Sequence, residues 1–438
     1  MTATAPPNTT AARLTRRGGR RAAAGTLRRE AAIFTLGMVV IAVHVLDDNF
    51  AQPQPGTSAG DHLVSGLVPL AVLGFAVWAY PALRGGRRGA IALIFGVLGI
   101  AAGVEALYYT REIGPSGDDF TGLIAIPAGL LLVGLGAVTL WRTRRTEGSL
   151  WWRYPRRGLL GVAAALVAFL VLLPIGLGYI TTHVGRAVVP PNQLGVAYED
   201  VTFTTSDGLE LKGWYVPSRN GAAVIAFPGR RGPQKHTRML ARHGYGALLF
   251  DRRGEGRSEG DPNSWGWGGS KDIKAAIAFL QRRPDVDPGR IGGIGLSVGG
   301  ELMLETSAGA DELGAVVSEG AGARTLSEDL DQDISTTEKV IGFPLTALKT
   351  ASIAVFDNQM PPTNLKKLVA GIAPTPLLLI AAPNSPHGEE LNRGYYRYAR
   401  EPKTLWEIPE SKHTGGLTAR PEEYERRVIG FFDRALQP

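Results

Sequence analysis

The sequence predicts a chain in two parts. The first is an N-terminal α-helical transmembrane domain of about five spans. The second is an α/β domain on a mostly parallel sheet with helices on both faces. Three observations predict this. Five apolar runs close to bilayer length fill residues 31–180. The loops between them alternate between arginine-rich and arginine-poor. Beyond residue 180 the apolar runs shorten to strand length and alternate with helical patterns.

The apolar runs are residues 31–46, 64–83, 90–109, 121–141 and 158–180. A hydrocarbon core about 30 Å thick needs about 20 residues of helix, so the first run is the shortest candidate. Charge sorts with these runs. Residues 1–180 carry 17 arginines, no lysine and 9 acidic residues, a net +8; the remainder carries 30 basic and 31 acidic residues, a net −1. A near-neutral second half argues against nucleic acid as a partner. The chain has no cysteine, which excludes disulfides, thiolate nucleophiles and Cys-ligated metals.

The tail at 1–30 holds seven arginines, and residues 47–62 hold no lysine or arginine. "RGGRR" follows at 84–88. Residues 110–120 carry one arginine and three acids, and residues 142–157 carry six arginines. Arginine-rich loops face the cytoplasm. This alternation predicts a multi-pass plasma-membrane protein with a cytoplasmic N-terminus and an extracytoplasmic domain after residue 180. Trp141, Trp151, Trp152 and Tyr154 sit where aromatic residues settle at an interface. Glu105 lies near the outer end of the third run, and an intramembrane acid is a candidate functional group. A composition rich in Ala, Gly and Arg points to a bacterial chain.

After a linker at 181–196, residues 197–217 read as two strands joined at Ser206-Asp207-Gly208. Further strands are expected at 222–227, 246–251, 290–296, 314–320, 375–382 and 404–410. Helices are expected at about 234–243, 270–283 and 421–436. Hydrophobic strands alternating with helices mean a sheet covered on both faces. Residues 321–374, polar with short helical patterns, read as an insertion over one end of that sheet.

The chemistry centres on "RIGGIGLSVGGE", 290–301. The dinucleotide fingerprint G-x-G-x-x-G fails, because the sixth position from Gly293 is Val298. The phosphate-loop pattern fails for want of Gly-Lys-Ser/Thr. G-x-S-x-G fits at Gly295, Ser297 and Gly299, between an expected strand and an expected helix. Such a turn holds the serine in a strained backbone with its hydroxyl above the sheet. Glycines two before and two after it remove a clash, and the helix that follows offers its N-terminus to developing negative charge.

At these residues the chain resembles the α/β-hydrolase superfamily, closest to its dienelactone-hydrolase-like and esterase-like branches. The resemblance covers about residues 197–438. It rests on "AFPGRRG", "FDRRGEGRSEG", "GLSVGG" and "SKHTGG", in the superfamily's order and spacing. It implies an α/β-hydrolase fold with Ser297 as nucleophile and His413, after the last strand, as general base; His387 is the runner-up base. It also implies an oxyanion hole from the backbone N–H groups of Val298 and Arg230. The superfamily's usual Asp slot falls on Asn384 or Ser385, neither of which ionises. Glu389 is therefore the first choice of acid, with Glu390 and Glu319 as alternates and loss of the acid as a further option.

The resulting expectation is a membrane-anchored serine hydrolase acting on an ester-type acyl substrate, small molecule or lipid, with no metal or cofactor. The competing expectation is a degenerate hydrolase domain that binds a lipid or a partner.

Overall fold

The computed structural model describes residues 9–115, 117, 119–144, 159, 161–162, 166–309, 312–332, 335–385 and 389–437. These fall into two compact units that divide near residue 155.

The first unit is helical: α1 (Thr9–Leu46), α2 (Leu63–Ala79), α3 (Gly85–Ile113) and α4 (Asp119–Thr143). Each contains a stretch long and apolar enough to cross a bilayer. Leu36, Phe75, Val97 and Leu130 are among the large apolar side chains left exposed, as a hydrocarbon solvent allows. α3 and α4 pack through glycines seven residues apart. Gly89, Gly96 and Gly103 lie against Gly136, Gly129 and Gly122. A Cβ on Gly96 would sit 2.8 Å from the Gly129 carbonyl oxygen, and one on Gly129 2.5 Å from that of Gly96. Lipid gives helices no hydrophobic drive to associate, so small residues that let backbones approach take over.

The expected fifth span at 158–180 lies partly outside the described residues, as do Trp151, Trp152 and Tyr154. Its described part is an apolar helix over Phe169–Thr182. Within it, α5 (Leu173–Thr182) clusters with the second unit rather than with α1–α4.

The second unit holds one eight-stranded sheet: β1 (Glu199–Thr204), β2 (Glu210–Val216), β3 (Ala223–Phe227), β4 (Gly246–Phe250), β5 (Ile291–Leu296), β6 (Ala315–Glu319), β7 (Leu377–Ala381) and β8 (Lys403–Glu407). The spatial order is β1-β2-β4-β3-β5-β6-β7-β8. β1–β2 and β2–β4 pair antiparallel, and all later pairs are parallel. β3 to β7 are buried at every position, which is why they read as nearly unbroken apolar runs. α6 (Gln234–Arg242) and the terminal helix cover one face; α7 (Ser270–Gln281) and α8 (Val298–Ser307) cover the other.

The insertion departs from expectation. Besides short helical turns it contains α9 (Thr336–Phe356), a single helix of 21 residues, long and apolar enough to count as a span. α10 (Leu391–Tyr398) and α11 (Pro421–Leu436) complete the fold.

Candidate active site

Ser297 stands between β5 and α8 with φ 53° and ψ −126°, a conformation rare for a residue with a side chain. Such strain costs on the order of 1–3 kcal/mol and persists only where the surroundings enforce it. They do so here. The Ser297 N–H donates to the Glu319 carbonyl (2.8 Å), and the Ser297 carbonyl accepts from the Gly300 N–H (2.7 Å). The flanking glycines are sterically required. A Cβ on Gly295 would lie 2.2 Å from the Gly299 carbonyl oxygen, and one on Gly299 2.6 Å from that of Phe227.

His413, in the loop after β8, points Nε2 at Ser297 Oγ, 2.8 Å away. Its Nδ1 lies 2.7 Å from Oε1 of Glu389. Glu389 is 1% exposed. A buried carboxylate needs donors, and its Oε2 accepts from the Ala382 N–H at 2.6 Å. The structure thus brings Ser297, His413 and Glu389 into one chain of hydrogen bonds.

The alternates stand elsewhere. Glu390 precedes the first turn of α10. Glu319 is buried and engaged: Oε1 accepts from the Gly416 N–H (2.8 Å) and Oε2 from the Tyr424 hydroxyl (2.5 Å). Burial beside that carboxylate pushes the Tyr424 hydroxyl well above its ordinary pKa. Asn384 donates to the Pro409 carbonyl. His387 lies outside the described residues.

One expectation needs correction. The Arg230 N–H does not face the serine. It donates to Asp251 Oδ1 (2.8 Å), while the guanidinium Nε and a terminal nitrogen reach Oδ2 at 2.9 and 2.5 Å. Both residues are buried. A carboxylate at the end of β4 takes the amide and the guanidinium together, and nothing in "FPGRRG" marks that capture. The next residue, Arg231, lines the cleft that holds Ser297. The amides of Arg231 and Val298 donate to no group among the described residues.

The same cleft includes a second histidine, from the helix that follows β3. His236 of α6 is buried against it, 3.7 Å from Glu319 Oε2, and neither ring nitrogen has a hydrogen-bond partner among the described residues. Pro190 and Gln193, from the strap that leaves α5, also line the cleft, and the Gln193 N–H donates to Gln234 Oε1 of α6 at 2.7 Å. Behind the serine, Glu301 of α8 is buried and accepts from the Gly322 N–H at 2.9 Å. Burial raises its carboxyl to about 7, against the opposing pull of Arg324. Among the described residues no cluster of His, Asp and Glu has a metal-holding arrangement.

Comparison with known proteins finds several likenesses. A family model described as X-Pro dipeptidyl-peptidase (S15 family) matches residues 197–335. The uncharacterized protein YfhR of Escherichia coli K12 is 29% identical over 265 residues, which cover 55% of this chain and 82% of its own. The alpha/beta hydrolase domain-containing protein WAV2 of Arabidopsis thaliana is 30% identical over 174 residues, 37% of this chain and 56% of its own. A solved esterase of Pyrococcus furiosus, Pf2001, overlays on 58% of this chain and 100% of its own at 23% identity and a TM-score of 0.46. An overlay at that score adds nothing to the topology read from the strands themselves. On its strand order and its strained serine turn, the chain has an α/β-hydrolase fold.

Proposed function

We propose that this protein is a membrane-anchored serine hydrolase that cleaves ester-type acyl substrates through an acyl-enzyme. The observation that carries the reading is the continuous line Ser297 Oγ, His413 Nε2, His413 Nδ1, Glu389 Oε1, with gaps of 2.8 and 2.7 Å. Ser297 Oγ attacks the acyl carbonyl while its proton passes to His413 Nε2. Glu389 holds the Nδ1–H and stabilises the imidazolium that forms. The tetrahedral oxyanion takes the Val298 N–H at the start of α8. Arg231 supplies the second N–H, in the place the sequence reading gave to Arg230. His413 then protonates the leaving alkoxide. Water, deprotonated by the same imidazole, releases the acyl group and restores Ser297.

The matching family model bears a peptidase name, and peptide and ester cleavage share this acyl-enzyme. An ester is the simplest substrate, since an alkoxide is a better leaving group than an amide nitrogen and makes the smaller demand on His413 as general acid. The arginine-rich tail and loops support a cytoplasmic N-terminus with the hydrolase unit on the opposite side. A reporter fused after Pro438 tests that side: activity of a periplasm-dependent reporter agrees with it, and a cytoplasmic signal contradicts it. Purified full-length protein in detergent tests the chemistry. Release of nitrophenol from a short-chain ester is expected of wild type and absent from Ser297→Ala.

A further inference from the structure

Helix α9 is built inside out for a surface helix. Val340, Ile341, Pro344, Ala351 and Val355 fall on one face at spacings of 1, 3, 7 and 4 residues, and all five are exposed. Val340 and Ile341 are 68% and 67% exposed. No polar residue interrupts that face between 340 and 355. In the second half of the helix the polar side chains look inward instead. Lys349 pairs with Asp329 at 3.6 Å and lies 4.6 Å over the Trp265 ring, while Thr350 and Ser352 are buried. A helix covering a soluble domain has the opposite arrangement. An apolar face this long marks a surface meant to be covered.

The neighbouring helix indicates by what. α9 packs on α5, the described end of the fifth apolar run. A Cβ on Gly178 would sit 2.5 Å from Ser352 Cβ, and the rings of Tyr179 and Phe356 meet edge to face at 5.2 Å. α5 leaves Leu173, Leu177 and Ile180 exposed, so the outward face of α9 continues the surface of a helix that emerges from the bilayer. Both ends of α9 return to the hydrolase unit. Asp331 pairs with Lys366 at 3.1 Å, and Asp357 accepts from Asn263 at 2.6 Å. Only residues 332–335 join Asp331 to α9, a reach of about 18 Å. The hydrocarbon core is about 30 Å thick, so α9 cannot cross it and return. Crossing would also drag the Lys349–Asp329 pair into hydrocarbon.

We infer that α9 lies in the membrane interface, its apolar face in the lipid of the leaflet from which α5 emerges, and that it presents the Ser297 cleft to membrane-resident acyl esters. The lipid contact rests on α9 and α5 alone; the substrate class rests also on the serine-hydrolase reading above. Two links join helix to cleft. The loop that Asp357 grips runs on to Gly266, where a Cβ would meet Val298 Cγ2 at 2.6 Å. The strap from Thr182 reaches the cleft wall at Pro190 within eight residues, at most about 29 Å of chain.

The absence of cysteine allows a direct test. Ile341→Cys and, as a second position on the same face, Val355→Cys each give full-length protein with one thiol for an environment-sensitive fluorophore. Arg400→Cys, exposed on the hydrolase unit, is the aqueous control. The labelled proteins are reconstituted into phosphatidylcholine vesicles with or without a doxyl-labelled phosphatidylcholine. Lipid insertion predicts quenching of both face labels by the doxyl lipid and protection from iodide, with the reverse at Arg400→Cys. Iodide quenching equal to the control overturns the inference. So does iodide protection without doxyl quenching that varies with the protein-to-lipid ratio, since that outcome makes the face an interface between copies.

A second arm reads the substrate class. Val340→Asp with Ile341→Asp is expected to slow hydrolysis of a long-chain ester embedded in vesicles by about tenfold or more, with a soluble short-chain ester unaffected. Equal rates on both substrates overturn lipid access. The fluorescence arm reads no activity, so failure of the Ser297 chemistry and failure of the lipid contact give different results.

Discussion

Glu389 Oε1 lies 2.7 Å from His413 Nδ1, although Glu389 stands five residues beyond Asn384, where the superfamily's aspartate is expected. The longer side chain reaches His413 with one oxygen and takes the Ala382 N–H, just past β7, with the other. The degenerate-domain reading drew its support from an empty slot, and this contact removes that support.

The contact makes a sharp prediction for Glu389→Gln. Two donors converge on the carboxylate, the Ala382 N–H and the His413 Nδ1–H. A glutamine has one acceptor oxygen to offer them. Either the amide is orphaned or the imidazole takes the wrong tautomer. A loss of about 10⁴ in kcat is expected on a soluble ester, with the fold retained by circular dichroism. Activity within about tenfold of wild type would take Glu389 out of the account.

The pair Arg230–Asp251 is predicted to hold the loop that carries Arg231. Both side chains are buried, so Asp251→Asn leaves a guanidinium without its counter-charge. A cost of about 3–5 kcal/mol is expected, read as a lower melting temperature by tryptophan fluorescence, together with a lower kcat. Replacing the pair by Arg230→Met with Asp251→Leu should recover most of the stability and little of the activity. Full recovery of both would show that the loop needs no ionic anchor.

Gly299→Ala tests the turn itself. The new Cβ would meet the Phe227 carbonyl oxygen at 2.6 Å and Pro228 Cδ at 2.7 Å. Backbone on one side and a ring on the other leave no flexible atom to yield. A loss of about 1–3 kcal/mol is expected, with slower acylation of Ser297. An unchanged acylation rate would mean the turn tolerates the shift.

Glu301 gives the stability a pH dependence. Its folded-state pKa is raised from 4.5 to about 7, chiefly by burial. The fold therefore favours the neutral acid. That contribution is fully present below about pH 4.5 and is lost as pH rises through about 7, amounting to about 3 kcal/mol. Glu301→Gln should be more stable than wild type at pH 8 and similar at pH 4.5. Parallel melting curves for the two proteins across that window would contradict the assignment.

Much of this was legible from residue patterns. Parallel strands buried on both faces read as apolar runs, so β3 to β7 were placed to within a residue or two. The Gly295-Ser297-Gly299 turn was legible because its chemistry is steric, and the terminal helix because Pro421 opens it. Other features depend on where side chains end up. The acid was ambiguous because Glu389, Glu390 and Glu319 all end or follow sheet strands, and only the folded contact with His413 Nδ1 singles out Glu389. The Arg230 amide was assigned to the oxyanion hole because its capture by Asp251, 21 residues on, leaves no local mark. α9 was missed as a single helix because its polar residues suggested a solvated insertion. In its second half those residues face inward, and a composition does not say which face carries them.

The central claim is that Ser297 is an activated nucleophile, and fluorophosphonate labelling of membranes containing the full-length protein tests it most directly. The account predicts a labelled wild type, with labelling abolished in Ser297→Ala and reduced to background in His413→Ala, since loss of either residue in such a triad removes about 10⁶ of rate. A folded wild type that takes no label, or a His413→Ala variant that labels as fast as wild type, would contradict it.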